Sequence, residues 1–178
     1  MSATAAINEQ LLRENITRAI NDVFSTMLGR EPTFMGCTNI LPDDGMSPPA
    51  SGPASGNTTF VVGTVGFVGD INGLIYLYLD ETLARHSTCH LLGMNEAELE
   101  QAGDEVINDA IGEITNMTVG SFKSGLCDAG YMCKLTIPSI LRGSNFRIEP
   151  TTATTRYLYH YESAGHKVTA DILIQTDE

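Results

Sequence analysis

Over residues 8–28 the apolar positions Leu11, Leu12, Ile16, Ile20, Val23, Phe24 and Met27 recur mainly at intervals of three and four. That spacing predicts an amphipathic helix, which Gly29 is placed to stop. Residues 58–67 and 71–79 are rich in β-branched and aromatic side chains and read as two strands, with Gly69-Asp70 as their turn. Between helix and strands, residues 42–57 are dense in Pro, Gly and Ser and read as an exposed loop, not a domain linker. Asp80 is a candidate N-cap for a short helix through Leu92, ended by Gly93. Asn95 and Glu98 form a capping-box pattern for a long helix to about residue 122. Strands are expected at 132–137, 145–148, 154–162 and 167–175, with Ser163-Ala164-Gly165-His166 turning the last pair. Helices and antiparallel hairpins are segregated along the chain, so the expected class is α+β, in one domain covering residues 1–178.

Two stretches resemble each other without gaps. Residues 19–29, Ala-Ile-Asn-Asp-Val-Phe-Ser-Thr-Met-Leu-Gly, align with residues 110–120, Ala-Ile-Gly-Glu-Ile-Thr-Asn-Met-Thr-Val-Gly. Each helix precedes a loop and hairpin strands, so a helix-plus-hairpin unit is expected to occur twice.

Composition narrows the function. The 178 residues carry a net charge of −12 with only ten Lys and Arg, too few and too scattered for a phosphate-backbone surface, so nucleic acid is a poor partner. The first residues lack a basic region followed by an apolar one, and no apolar stretch reaches bilayer length. A cytoplasmic protein without membrane contact is expected. Cys37, Cys89, Cys127 and Cys133 are widely spaced with no C-x-x-C pair, which predicts reduced and mostly buried thiols.

The long second helix carries the candidate chemistry. Ile107, Ile111, Ile114 and Thr118, with Phe122 behind them, fall on one face. Glu105, Asp109, Gly112, Glu113, Asn116 and Gly120 gather on the other. No Lys or Arg shares this polar stripe, although i,i+4 charge pairs are what a merely solvated helix often shows. Glycine inside a helix costs about 1 kcal/mol relative to Ala, so Gly112 and Gly120 suit a face that another surface approaches closely. A plain solvated face with incidental glycines is the alternative. Against it stands the pairing of a carboxylate with a carboxamide one turn away. The amide can both donate to and accept from a water, and the acid can pair with a cation. Phosphoryl transfer to water asks for little more than orientation and electrostatics.

Asp109-x3-Glu113-x2-Asn116, followed by Pro138, resembles the active-site signature of the CheC/CheX/FliY phosphatase family. Residues 23–29, the Gly69-Asp70-Ile71-Asn72-Gly73 turn and the Pro138–Gly143 segment resemble that family's first helix end, first hairpin and post-helix segment. The likeness covers nearly the whole chain outside 42–57. It implies the CheC-like fold, an antiparallel sheet packed with two long helices, and hydrolysis of the phospho-aspartate on a CheY-like receiver domain. By the same resemblance Asn116 orients the attacking water, Glu113 contacts the receiver's Lys, and Asp109, Gly112 and Gly120 shape the contact surface. Mg²⁺ then sits on the partner receiver, and this chain needs no cofactor or metal of its own. The first helix offers Arg18, Asp22 and Ser25 at the positions of Asp109, Glu113 and Asn116. Serine is too short to replace the amide, so one working site is expected, as in CheX-like members, which form homodimers.

Other readings compete. His86 and His90 have i,i+4 spacing that suits zinc, but no Glu completes an H-E-x-x-H motif, and ordinary histidines are expected. His160 and His166 read as exposed strand-end residues, and Met27, Met117 and Met132 as core filling. Ser121, Ser124 and Cys127 lack a nucleophile elbow, and the glycines near residues 63–73 lack a P-loop lysine. The rival from another class is a receiver-binding scaffold on the same fold without catalysis. A small-molecule sensor domain is a third reading.

Overall fold

The computed structural model describes residues 7–40, 57–149 and 153–175; the Pro/Gly/Ser-rich segment expected as a loop lies almost entirely outside them. Four helices are present among these residues: α1 (Glu9–Leu28), α2 (Glu81–Leu92), α3 (Glu96–Ala102) and α4 (Asp104–Asp128). Their ends follow from local chemistry. Asn8 caps α1 by accepting from the Gln10 N–H, and Gly29 closes it in the left-handed region at φ 62°. Asp80 caps α2 through the Leu83 N–H, and Gly93 (φ 65°) ends it. Asn95 and Glu98 form the expected reciprocal capping box, but the helix they start is short. Gly103 takes φ 85° and ψ −179°, a conformation open essentially only to glycine, so the single expected helix is two. After that break α4 runs past the expected end, to Asp128.

The strands are β1 (Thr33–Ile40), β2 (Phe60–Gly69), β3 (Gly73–Asp80), β4 (Cys133–Leu135), β5 (Ser139–Gly143), β6 (Thr154–Ser163) and β7 (His166–Gln175). They form one antiparallel sheet in the order β1-β6-β7-β3-β2-β4, with β5 also pairing β2. The fold is α+β. Letting β1 answer to β4 and β5, β2 to β6 and β3 to β7, the order reads the same from either edge. The two helix-plus-hairpin halves meet at the central β3–β7 pair. Each half's leading strand pairs with the other half's hairpin, β1 on β6 and β5 on β2.

β1 and β5 have no counterpart among the expected strands, and the strand expected at 145–148 is reduced to a lone bridge residue, Arg147. Asn145 turns the chain at φ 59°. Phe146 and Ile148 then pack over the outer sheet face against Phe60, Val62 and Tyr78, so their alternation records coverage of a sheet. Ala164 (φ 53°) and Gly165 (φ 78°) make the two-residue turn joining β6 and β7, as expected.

The core lies between the inner sheet face and the helices. Leu12, Ile16, Ile20 and Phe24 of α1 and Ile107, Ile111, Ile114 and Phe122 of α4 are all fully or almost fully buried there. On the outer face, Arg156 of β6 meets Asp171 of β7 in a two-pronged pair at 2.8 and 2.6 Å, with both side chains out of water. Burial pushes the Asp171 carboxyl up, against the opposing pull of the guanidinium.

Two glycines fix where α4 sits. A Cβ on Gly63 of β2 would lie 1.9 Å from Thr115 Oγ1, so helix and strand touch backbone to side chain at that point. A Cβ on Gly125 of α4 would lie 2.0 Å from Asn15 Oδ1, which brings α1 close to the end of α4. Gly63→Ala is expected to cost about 1–3 kcal/mol of stability by lifting α4 off the sheet. Urea denaturation checks this; an unchanged midpoint and slope would show that the helix does not depend on the contact.

Candidate functional site

The inward face of α4 is as the periodicity predicts: Ile107, Ile111, Ile114, Thr118 and Phe122 are buried. Thr115 and Thr118 satisfy their buried hydroxyls by donating to the carbonyls of Ile111 and Ile114, at 2.7 and 2.8 Å. The other face carries the candidate residues. Glu105, Asp109, Glu113 and Asn116 are exposed, and Gly112 and Gly120 are half-buried. Glu113 and Asn116 are one turn apart on a helix held over most of its length by the core. Among the described residues, none of Asp109, Glu113 and Asn116 is in an ion pair or a side-chain hydrogen bond. The carboxylate and the amide therefore present their full hydrogen-bonding capacity outward.

The two glycines of this face are not required by packing against the described residues. A Cβ on Gly120 would meet nothing within 4 Å, and one on Gly112 only the Ile140 Cδ1 at 4.0 Å. They contrast with Gly63 and Gly125, where internal contacts leave no room. At Gly112 and Gly120 the helix gives up propensity without a reason among the described residues.

β5 borders this face and is strapped to the start of α4 by Arg142. Its Nε donates to Asn108 Oδ1 at 2.7 Å, and its Nη1 lies 3.5 Å from Asp104 and 3.9 Å from Glu81. One guanidinium thus ties β5 to the first turns of α4 and α2. The corresponding face of α1 differs. Arg18, in the place of Asp109, reaches across to the Asn15 side chain and the Ser121 carbonyl, at 3.2 and 3.3 Å. It serves helix packing, and Ser25 stands where Asn116 stands on α4.

The remaining candidates disperse. His86 lies 3.9 Å from Glu96, and its ring stands edge-on to His166 at 6.1 Å, while His90 sits over Gly29. No group of three His, Cys, Asp or Glu side chains among the described residues is arranged to hold a metal ion. His166 and His160 are not exposed strand ends: His166 Nδ1 is 2.8 Å from the Asp80 carboxylate, and His160 Nδ1 is 3.2 Å from Thr169 Oγ1, both part-buried. Met27 and Met117 pack on the core, but Met132 is exposed. Only Cys133 of the four thiols is buried, and Cys37 is exposed. Burial raises the Cys89 and Cys133 thiols above their ordinary range, leaving little thiolate for nucleophilic chemistry.

The chain matches the family model of the chemotaxis phosphatase CheX over residues 61–162, which includes the whole exposed face of α4 and β5. It belongs to the CheX family. A curated relative, the CheY-P phosphatase CheX of Thermotoga maritima, is 32% identical over 90 residues, 50% of this chain and 56% of the relative. The chain thus matches little more than half the length of that CheX. Among solved structures, a CheC-like superfamily protein from Shewanella sp. PV-4 superposes with a TM-score of 0.75 at 23% identity, covering 96% of this chain and all of that one. CheX from Vibrio vulnificus gives 0.73 at 20% identity, over 98% of this chain and all of the other. CheX in the CheX–CheY–BeF3–Mg²⁺ complex from Borrelia burgdorferi gives 0.66 at 20%, over 93% of this chain and 98% of that one. These neighbours establish the CheC-like fold. No helix among the described residues is long and apolar enough to cross a membrane.

Two contributors at this site escaped the sequence reading. The strap made by Arg142 had no local signal, since its partners come from α2 and α4. The Gly63–Thr115 seat did have one: glycine inside a β-branched run marks a close approach. Gly120→Ala is expected to stabilise the fold by about 0.5–1 kcal/mol, since the new methyl meets open space and gains helix propensity. Thermal melting reads this directly, and a lowered Tm would mean that the glycine has an internal role.

Proposed function

We propose that this chain is a single-domain protein phosphatase that hydrolyses the phospho-aspartate of a CheY-like receiver. The observation that carries the reading is the pair Glu113 and Asn116, exposed and unengaged on a rigid helix in a CheX-family chain. The face of α4 docks on the receiver, and Gly112 and Gly120 let the two backbones approach. The Asn116 amide holds a water in line with the phosphorus–oxygen bond to the aspartate. Its carbonyl oxygen accepts a hydrogen bond from the water and its NH₂ can donate to the phosphoryl oxygens. Attack forms the new P–O bond and breaks the one to aspartate, releasing inorganic phosphate and the free carboxylate. Glu113 pairs with the receiver's Lys, which fixes the register of the two sites, and Asp109 shapes the acidic rim.

Mg²⁺ on the receiver neutralises charge on the phosphoryl oxygens, as expected for phosphoryl transfer. The CheY–BeF3–Mg²⁺ partner of the Borrelia burgdorferi relative supports placing the metal there. In this reading the chain contributes no metal or cofactor, acts in the cytoplasm and forms a homodimer. The family likeness supports the dimer, and sedimentation tests it.

The decisive measurement is the decay of a phosphorylated CheY-like receiver with Mg²⁺ and catalytic amounts of protein. Wild type should accelerate decay. Asn116→Ala should lose about 10²-fold or more of that acceleration with its melting temperature unchanged, because the water is no longer held. Glu113→Ala should weaken both activity and binding. Full activity in both variants would refute the mechanism, and binding without hydrolysis by wild type would make the chain a receiver-binding scaffold.

A further inference from the structure

Beside the α4 face stands the most exposed large apolar side chain among the described residues. Ile137 is 88% exposed, in the short break between β4 and β5. Both strands pair with β2, so the break is an irregularity in one sheet edge. Its backbone is held on both sides. Thr136 exchanges two 2.8 Å hydrogen bonds with Gly66, one from each residue's N–H, and Ser139 pairs with Thr64. Pro138 adds a fixed φ and biases Ile137 towards an extended conformation. Ile137 is therefore mounted on rigid backbone and still offered to solvent.

The register places this mount against the site. Gly63 pairs with Ile140 and underlies Thr115, and Ile140 is the side chain nearest Gly112. Farther along β2, Phe67 pairs with Leu135 and meets Phe122, ring centroids 6.1 Å apart. Helix and edge strand thus run side by side, and Ile137 falls level with the stretch between Thr115 and Phe122. The side of α4 that turns Gly112 towards β5 turns Asn116 the same way one turn later. The Gly112 side of α4 thus faces the strand that begins two residues after Ile137.

We propose that Ile137 is an apolar anchor for the same receiver, inserting into a depression lined by aliphatic or aromatic side chains next to the receiver's phosphorylation site. This rests on the function proposed above. The receiver is the occupant because the anchor adjoins the helix face whose unpaired acids complement its Lys. A partner that lays its active site on Asn116 also covers the edge where Ile137 stands. The acids and the amide give orientation; the buried isoleucine gives affinity, as apolar anchors at interface centres do.

The test uses the full chain with two readouts: steady-state hydrolysis of the phosphorylated receiver, and binding to the receiver loaded with BeF3 and Mg²⁺. Ile137→Ala should raise KM and Kd by about tenfold or more with kcat within twofold, and Ile137→Asp should raise them further. Val68→Ala, an exposed apolar residue at the far end of β2, should change neither. Melting temperatures should stay constant, since the side chain is almost wholly exposed. Unchanged KM and Kd in both Ile137 variants would overturn the anchor, as would a loss of self-association in place of receiver affinity. If wild type binds without hydrolysing, the phosphatase reading fails while Kd still judges the anchor. If it neither binds nor hydrolyses, both fail.

Discussion

The seating of α4 on β2 at Gly63 is the constraint from which the rest of the molecule is arranged. With no side chain on the strand at that point, Thr115 comes down onto the sheet, and its neighbours Ile111, Ile114 and Phe122 follow it into the core. A helix held so tightly on one face has its opposite face fixed in height and rotation. Asn116 is the next residue after the contact, and Glu113 lies two before it. An amide that must hold a water in line with a bond benefits from that kind of support, because small displacements at a reacting centre are costly. The second close approach, at Gly125 with Asn15, steadies the far end of the same helix.

The face itself shows the opposite economy. Where the inner face of α4 is packed and its buried threonine hydroxyls are bonded, the acids and amide of the outward stripe have no ion pair or side-chain hydrogen bond among the described residues. Arg142 illustrates the division: it engages Asn108, Asp104 and Glu81 and leaves Asp109 and Glu113 alone. Glycines with open space above them sit on this stripe and not on the buried one. Such a pattern suits the proposed reaction, in which a partner completes the surface.

Much of this could be read from the residues, and the exceptions have physical causes. Helix ends set by a single capping group were legible, as at Gly29, Asp80 and Gly93. The buried and exposed faces of α4 were legible because they obey a helical period. Gly103 falls inside the one long helix expected from Asn95 to about residue 122, and only its backbone angles reveal the break. β1 and β5 are edge strands whose pairing partners are distant in sequence, and neither shows clean alternation. Phe146 and Ile148 alternate like a strand because they cover one. The signature residues Asp109, Glu113 and Asn116 are near one another in sequence, whereas the elements that frame them, Arg142 and the Ile137 mount, come from the far side of a turn.

The palindromic order of the sheet has a consequence for how such a chain can change over time. Each half clasps the other's hairpin with its own leading strand, so neither can be shed without opening the sheet of its sibling. α1 must persist as architecture whatever its surface residues do. On that surface Arg18 stands where α4 has Asp109, and it braces the two helices against each other through the Ser121 carbonyl. A duplicated body of this kind can retire one of its working faces and remain the same size, with the retired half serving as the fixed ground on which the other stands.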